Sequence, residues 1–395
     1  MNILHLHERT EIKGGAEVYI SQLQQLLPAY GYKSYWLAID NYTGDYLLSE
    51  YGVKTIEKKQ KTADVLDYIK GFIRRNAINI ICIHNIFDQD VIAFCLNELP
   101  VVKFAHGPVM VCPGKDKFWR YSEEACTIKY GLHCFWHIYR QGCSNRHPSR
   151  VWKAWNIVNY EVKTAAKKYR KIVVMSEFIK NGLLECGIPG ESIVCNPYFT
   201  PEVKDLPAAV AGVRKKNLLF IGRLISSKGP HILIQSLIPL LKTGEDLHLD
   251  IIGDGAMKEE LIGMVEKAGI SDKVSFHGWL SKERINSFLQ DCYLVLFPSL
   301  YPEAFGIVGI EAMMWAKPVI AFDVGGVSSW LENGGTGFLV NVGDRQSMRE
   351  RAQLLLNDVS LYAQMSARAR KVALERFTPA IHLGRLLEIF KSDAL

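Results

Sequence analysis

The sequence predicts an α/β protein of two parallel-sheet domains, and three observations carry that expectation. Short apolar runs alternate with longer amphipathic segments twice over, across about 1–198 and again from 217 onward. Several of the runs end in glycine turns, among them Gly14-Gly15, Gly222-Arg223, Gly253-Asp254-Gly255 and Gly278, as strands do where they pass into helices at a sheet's carboxyl edge. Between the two sets lies 199–214, with Pro201, Pro207 and Gly212, which reads as an interdomain linker. At 395 residues, 48% hydrophobic and 22% charged, the chain is long enough and ordinary enough for two full cores. A ligand is expected where the strand tips of both sheets line a cleft.

In the first half, 2–7 reads as a strand, and Gly14-Gly15 opens an amphipathic helix over 16–29. A paired-glycine loop between strand and helix lets phosphate approach the backbone, although a tight turn has the same sequence. Strands follow at 34–39, 78–84 and 101–106, and helices at 63–75 and 86–97. His106-Gly107-Pro108 ends the last of these strands, where side chains of parallel sheets do chemistry. The alternation then breaks over 108–150, which holds Cys112, Cys126, Cys134 and Cys143 with several histidines and aromatics. Four thiolates could hold a structural metal; buried free thiols are the other reading, since no C-x2-C pair is present. A long helix over 151–169, a strand at 171–175 and a helix capped by Ser176 complete the half.

The second half repeats the pattern without a close internal repeat. A strand at 217–221 runs into Gly222-Arg223, and a loop with Lys228 leads to a helix whose first turn carries Pro230. Arg223 and Lys228 lie five apart across one strand-to-helix loop; a guanidinium fork and an ammonium so placed suit one diphosphate. The stretch 297–312 (FPSLYPEAFGIVGIEA) reads as strand, turn and helix. The helix is expected to begin at Glu303, with Glu311 eight residues on and near the same face, and with the amides of Ala304, Phe305 and Gly306 open at its start. Gly306 and Gly309 weaken a helix, so they imply either a ligand or close packing. Helices over about 344–357, 361–376 and 379–391 end the chain.

Charge is uneven. Residues 101–180 hold 15 Lys/Arg against 5 Asp/Glu, whereas 201–395 hold 22 of each. The basic segment suits an anionic membrane surface or glycan, and it matches no nucleic-acid-binding motif. Nine cysteines and the absence of a secretory signal at the start predict a reducing, cytoplasmic setting. No apolar run reaches the ~20 residues of a membrane-spanning helix.

Taken in order, several motifs resemble the retaining glycosyltransferases of family 4, which have the GT-B fold of two Rossmann-like domains facing across a cleft. They are Gly14-Gly15-Ala16-Glu17, FAHG around His106, Ser176-Glu177-Phe178 and GRLISSKG at 222–229. The GDG turn, FHGWL at 276–280, PSLYPEAFGIVGIEAM at 298–313 and the later Gly325-Gly326 complete the set. The resemblance implies an acceptor-side domain over 1–198, with the helix at about 379–395 packing back on it, and a nucleotide-sugar domain over 199–378. It implies that Arg223 and Lys228 hold the donor diphosphate, Glu311 the ribose, and Glu303 the sugar hydroxyls beside the Ala304–Gly306 amides. Gly14 and Gly15 would approach the phosphates, the backbone at Leu280 would meet the base, and His106 would sit by the reacting carbon.

The expected reaction is transfer with retention from a nucleotide sugar, UDP-glucose being the first choice, to a glycan or lipid-linked acceptor in polysaccharide or glycoconjugate synthesis. It is expected to run by front-face attack without a divalent metal. The competing readings are an epimerase or phosphorylase on the same fold, and a non-catalytic sugar-nucleotide-binding module. The expected location is the cytoplasm, with peripheral contact at the inner face of the plasma membrane.

Overall fold

The structure, a computed structural model, describes residues 1–9, 11–12, 14–40, 46–50, 56–60, 62–204 and 216–391. The chain falls into two units. Unit 1 takes Met1–Lys117, Thr127–Asn196 and Arg385–Leu395; unit 2 takes Phe118–Cys126 and Pro197–Gly384.

Unit 1 begins with β1 (Asn2–His7), α1 (Gly15–Leu26), β2 (Lys33–Asp40), β3 (Tyr46–Glu50), β4 (Ile56–Gln60) and α2 (Thr62–Arg75). β5 (Ile80–Ile83), α3 (Gln89–Glu98) and β6 (Val101–Ala105) follow. The short strands β7 (Phe118–Trp119) and β8 (Glu124–Ala125) then form a hairpin that belongs to unit 2. The chain returns to unit 1 with α4 (His133–Gln141), α5 (Pro148–Lys163), β9 (Lys171–Val174), α6 (Glu177–Glu185) and β10 (Ile193–Cys195). The sheet order is β10-β9-β6-β5-β1-β2-β3-β4. Pairing is parallel from β10 through β2 and antiparallel where β3 and β4 are added. The sequence reading placed no strand between 40 and 62, because these two short runs lack the continuous apolar character of the buried parallel strands. β5 and β6, by contrast, are buried at every position.

Unit 2 holds β11 (Lys216–Ile221), α7 (Pro230–Thr243), β12 (Leu247–Ile252), α8 (Lys258–Ala268), β13 (Val274–Phe276), α9 (Lys282–Asp291) and β14 (Leu294–Phe297). α10 (Ile307–Met314), β15 (Val319–Phe322), β16 (Gly337–Val340), α11 (Arg345–Asn357) and α12 (Val359–Arg376) follow, and α13 (Pro379–Lys391) starts in unit 2 and continues into unit 1 from Arg385. Its sheet is parallel throughout, in the order β13-β12-β11-β14-β15-β16. The order reverses between β11 and β14. A doubly wound sheet opens a crevice at the carboxyl ends of the two strands that flank such a reversal.

Two expectations change, and a third lies largely outside the described residues. α10 begins at Ile307, not at Glu303, because Gly306 caps it in the left-handed region at φ 95°. Glu303 therefore stands in the loop and only Glu311 is helical. The stretch 108–150 does not stay together, since Phe118–Cys126 groups with unit 2. The linker expected over 199–214 falls largely outside the described residues, which stop at 204 and resume at 216.

Candidate active site

The crevice at the β11–β14 reversal is where two of the four expected catalytic residues meet. The loop after β11 carries Lys228, and the loop after β14 carries Glu303. They are 75 residues apart in sequence, yet the Lys228 ammonium donates to Glu303 Oε1. Ser299 Oγ donates to the same oxygen at 2.8 Å. Glu303 is only 7% exposed, so its charge is held by a cation and a hydroxyl where water has little access. Lys228 also lies 5.2 Å from the centre of the Tyr301 ring.

Backbone contacts fix the two loops against each other. The amides of Leu300 and Tyr301 both donate to the Ser227 carbonyl at 3.0 Å. Gly229 has φ +66°, and a Cβ there would lie 2.0 Å from the Pro298 carbonyl oxygen; only glycine fits this left-handed close approach.

Arg223 stands next to this pair in the chain, exposed, and forms no ion pair among the described residues. Its neighbours are held by the turns of the adjoining strands. Leu224 N donates to Asp254 O at 2.9 Å, Gly253 N donates to Gly278 O at 2.8 Å, and Met257 N donates to Leu224 O at 2.9 Å. The turns after β11, β12 and β13 thus form one row along the sheet edge. Leu280 belongs to this row, in the loop between β13 and the Ser281 cap of α9. An exposed guanidinium in the same strand-to-helix loop as a partly buried ammonium suits an anion.

Glu311 lies on α10, and its Oε1 accepts from the Lys282 ammonium at the start of α9. Lys282 was not singled out in the sequence; the only local sign of it was the cap at Ser281. Ala304 and Phe305 precede α10 in the loop, and the first amides of the helix itself are those of Ile307 and Val308. Trp330 explains the glycines here. Its indole N–H donates to the Phe305 carbonyl, its ring meets Phe297 edge-on at 6.1 Å, and a Cβ on Gly309 would lie 2.1 Å from the ring. Gly309 therefore serves packing.

In unit 1, Gly14 and Gly15 are exposed at the start of α1, with Gly14 as its extended cap. Glu17 in the first turn is buried, 3.8 Å from His7 Nε2 and 3.7 Å from Arg9 Nε, and burial raises its pKa. His106 follows β6 and ends a chain of rings that the sequence reading did not see. His5 Nδ1 meets His84 Nε2 at 3.0 Å, and His84 Nδ1 meets His106 Nε2 at 2.7 Å. His84 stacks on His106 with centroids 5.0 Å apart and on Phe104 at 4.7 Å. Each contact takes one proton and one lone pair, so neutral His84 donates on one side and accepts on the other. Burial is the leading cause that lowers the pKa of every member, to about 3 for His5 and about 4 for His7, and well below the usual range for His84 and His106. Behind the rings, buried Lys103 pairs with Glu161 at 2.9 Å and donates to the His84 carbonyl at 3.0 Å. The sequence hint was positional: His5 and His7 alternate on one strand face, and His84 and His106 follow neighbouring strand ends.

The four cysteines do not assemble. Cys112, Cys134 and Cys143 belong to unit 1 and Cys126 to unit 2. None of the four forms a disulfide, and among the described residues no three His, Cys, Asp or Glu side chains converge as a metal site.

Residues 206–372 match the family Glycosyl transferases group 1. Over 178 residues the chain is 30% identical to the alpha-D-kanosaminyltransferase of Streptomyces kanamyceticus, covering 45% of this chain and 46% of that protein. It is 28% identical over 312 residues to the poly(ribitol-phosphate) alpha-N-acetylglucosaminyltransferase of Staphylococcus aureus, covering 76% and 59%. The chain thus spans about half the length of these curated relatives. The structure superimposes on Anabaena HepE in complex with UDP with a TM-score of 0.70 over the whole of both chains, at 18% identity. The chain has the two-sheet GT-B fold of that neighbour, and its segment 206–372 matches the glycosyl transferases of group 1.

Proposed function

We propose that the protein is a retaining glycosyltransferase that moves a sugar from a nucleotide diphosphate, a UDP-sugar with UDP-glucose first, to a glycan or lipid-linked acceptor in polysaccharide or glycoconjugate synthesis. The observation that carries this reading is the Lys228–Glu303–Ser299 cluster at the strand-order reversal, with Arg223 exposed in the same loop after β11. A nucleotide diphosphate leaving group gains charge as the glycosidic bond breaks. Arg223 and Lys228 are cations placed to receive it. Because they supply that charge, the reaction needs no divalent metal.

In this reading Glu303 has two tasks. Its carboxylate orients Lys228 toward the diphosphate, and its remaining acceptor capacity takes a hydroxyl of the transferred sugar. Glu311 exchanges Lys282 for the ribose hydroxyls, the backbone at Leu280 meets the base, and the Ala304, Phe305 and Gly306 backbone borders the sugar. In unit 1, the exposed Gly14-Gly15 backbone contacts phosphate and His106 borders the reacting carbon. Its neutral ring, kept so by burial, does not repel an oxocarbenium-like centre. A pair so committed makes Glu303 a poor nucleophile, which favours front-face attack with the departing phosphate taking the acceptor proton.

Two comparisons support the donor and the stereochemistry. The HepE neighbour was solved with UDP, and the names of both curated relatives specify alpha transfer, the retained outcome for an α-linked nucleotide donor. An epimerase or phosphorylase would use the same crevice without a second sugar acceptor, and a binding module would leave the donor intact.

The test is a thermal-shift screen of nucleotide sugars followed by product analysis. UDP-sugars are expected to raise the melting temperature, and Arg223→Ala and Lys228→Ala to abolish the rise and lower kcat by at least about a hundredfold. Activity is expected to survive EDTA. Stabilisation by GDP-sugars alone would overturn the donor assignment, a covalent glycosyl adduct on Glu303 the front-face mechanism, and an intact donor in the presence of varied acceptors the enzyme reading.

A further inference from the structure

The helical pair α4–α5 exposes apolar side chains that a protein surrounded only by water has no reason to display. Of the nine residues in α4, Ile138 alone is buried. Leu132 just before it is 73% exposed, Trp136 64% and Tyr139 45%, and Trp152 on α5 is 58% exposed. These groups belong to one surface. Trp152 of α5 stacks with Phe135 of α4, centroids 6.1 Å apart, and with Trp155 at 6.0 Å, so the two helices share an aromatic seam. A cluster of large exposed apolar groups marks an interaction site more often than chance exposure does.

Charge says what the partner is. The segment 127–168 contains eight Lys/Arg and one acid, Glu161. That acid is buried in its pair with Lys103 and accepts a further bond from Tyr169 at 2.9 Å, so the segment shows solvent no negative charge. Lys129, Arg140 and Arg150 are exposed around the tryptophans. Tryptophan and tyrosine with flanking Lys/Arg are the side chains that settle at the boundary between acyl chains and headgroups. No described helix is long and apolar enough to cross a membrane, so the surface would lie on a bilayer. A second copy would have to bring two such cationic surfaces together.

We propose that the α4–α5 surface docks unit 1 onto a bilayer rich in anionic lipids, with Trp136 and Trp152 entering the headgroup boundary and Lys129, Arg140 and Arg150 meeting lipid phosphates. The proposal stands apart from the glycosyl-transfer reading, because it concerns neither donor nor acceptor chemistry. It also explains the basic excess by one surface with defined geometry.

Co-sedimentation of the full chain with vesicles tests it. Vesicles of phosphatidylcholine and phosphatidylglycerol at about 7:3 are expected to bind the protein, phosphatidylcholine alone to bind it weakly, and raised salt to weaken binding. Trp136→Ala with Trp152→Ala is expected to lower the vesicle partition coefficient roughly tenfold or more. Arg140→Glu with Arg150→Glu should lower binding to the anionic vesicles and leave the phosphatidylcholine background unchanged. These positions are exposed, so an unaltered melting temperature certifies the variants. Equal sedimentation of wild type and the tryptophan variant would overturn the proposal, as would no binding to anionic vesicles. A dimer that the tryptophan substitutions dissociate would assign the surface to self-association instead.

Discussion

His5, His7, His84 and His106 show how a residue's chemistry is set by its neighbours. Each would titrate near 6.5 in an unfolded chain, yet burial holds His5 down to about 3 and His7 to about 4, and His84 and His106 also well below 6.5. The sign of the linkage follows. Below pH 6.5 the unfolded chain takes up protons that the folded chain refuses, so stability is full above 6.5 and declines as pH falls toward the folded values. At pH 5 the loss is on the order of 2 kcal/mol each for His5 and His7. The urea midpoint of unit 1, followed by tryptophan fluorescence at pH 7 and pH 5, is expected to drop accordingly. A midpoint unchanged over that range would show that these rings are not held neutral. Glu303 illustrates the same principle with opposite charge, since its carboxylate tolerates burial through the Lys228 ammonium and the Ser299 hydroxyl.

At the scale of elements, α10 and the loop before it depend on one buried aromatic ring. Trp330, fully buried, donates to Phe305, packs on Phe297 and fills the space where a side chain at 309 would go. Gly309 has no unusual backbone angle to require it, so its role is steric. Gly309→Ala is expected to cost about 1–3 kcal/mol through overpacking, seen as a fall of roughly 2–12 °C in melting temperature for a domain of this size. If the proposed donor site is right, it also weakens UDP-sugar binding, because Glu303 and Glu311 flank the displaced loop and helix. A stability equal to wild type would mean that the indole moves aside freely. Gly263, by contrast, has nothing near its missing Cβ, which makes Gly263→Ala on α8 the control, expected to stabilise by about 0.5–1 kcal/mol.

For the whole molecule, the hairpin β7–β8 is the feature that breaks a simple division of the chain at the linker. Phe118 is 4% exposed within the hydrophobic core of unit 2 and meets Tyr301 edge-on at 6.5 Å. Glu123 of the same hairpin lies 3.8 Å from His231 on α7. Phe118→Ala is therefore expected to destabilise unit 2 by about 3–5 kcal/mol, although the residue falls in the first third of the chain. Hydrogen exchange should quicken at Leu300 and Tyr301, next to Lys228. Faster exchange confined to unit 1 would contradict the placement of the hairpin.

Much of this architecture is readable from local pattern. The parallel strands announce themselves as short apolar runs because both faces of such a sheet are covered, and the turns announce themselves by glycine because the left-handed approach of Gly229 to Pro298 admits no side chain. Arg223, Lys228 and Glu303 stand out as charged residues at predicted strand-to-helix joints, and Glu311 as a carboxylate near the Glu303 face of the predicted helix. The start of α10 was misread, since a glutamate after proline looks like a helix start while the cap conformation belongs to Gly306. Strands β3 and β4 were missed because short mixed-polarity runs carry little periodic signal.

The amino-acid order by itself determined the two alternating sets of elements, the carboxyl-edge loops and the residue types available there, because these depend on contacts within a few turns of chain. Only the tertiary structure decided that Lys228 pairs with Glu303, that Lys282 holds Glu311, that three histidines form one chain, and that Phe118 joins the core of unit 2. Those outcomes depend on sheet order, which brings β11 beside β14 and β5 between β1 and β6. No local periodicity encodes which strands become neighbours. That choice is made by the burial of whole faces.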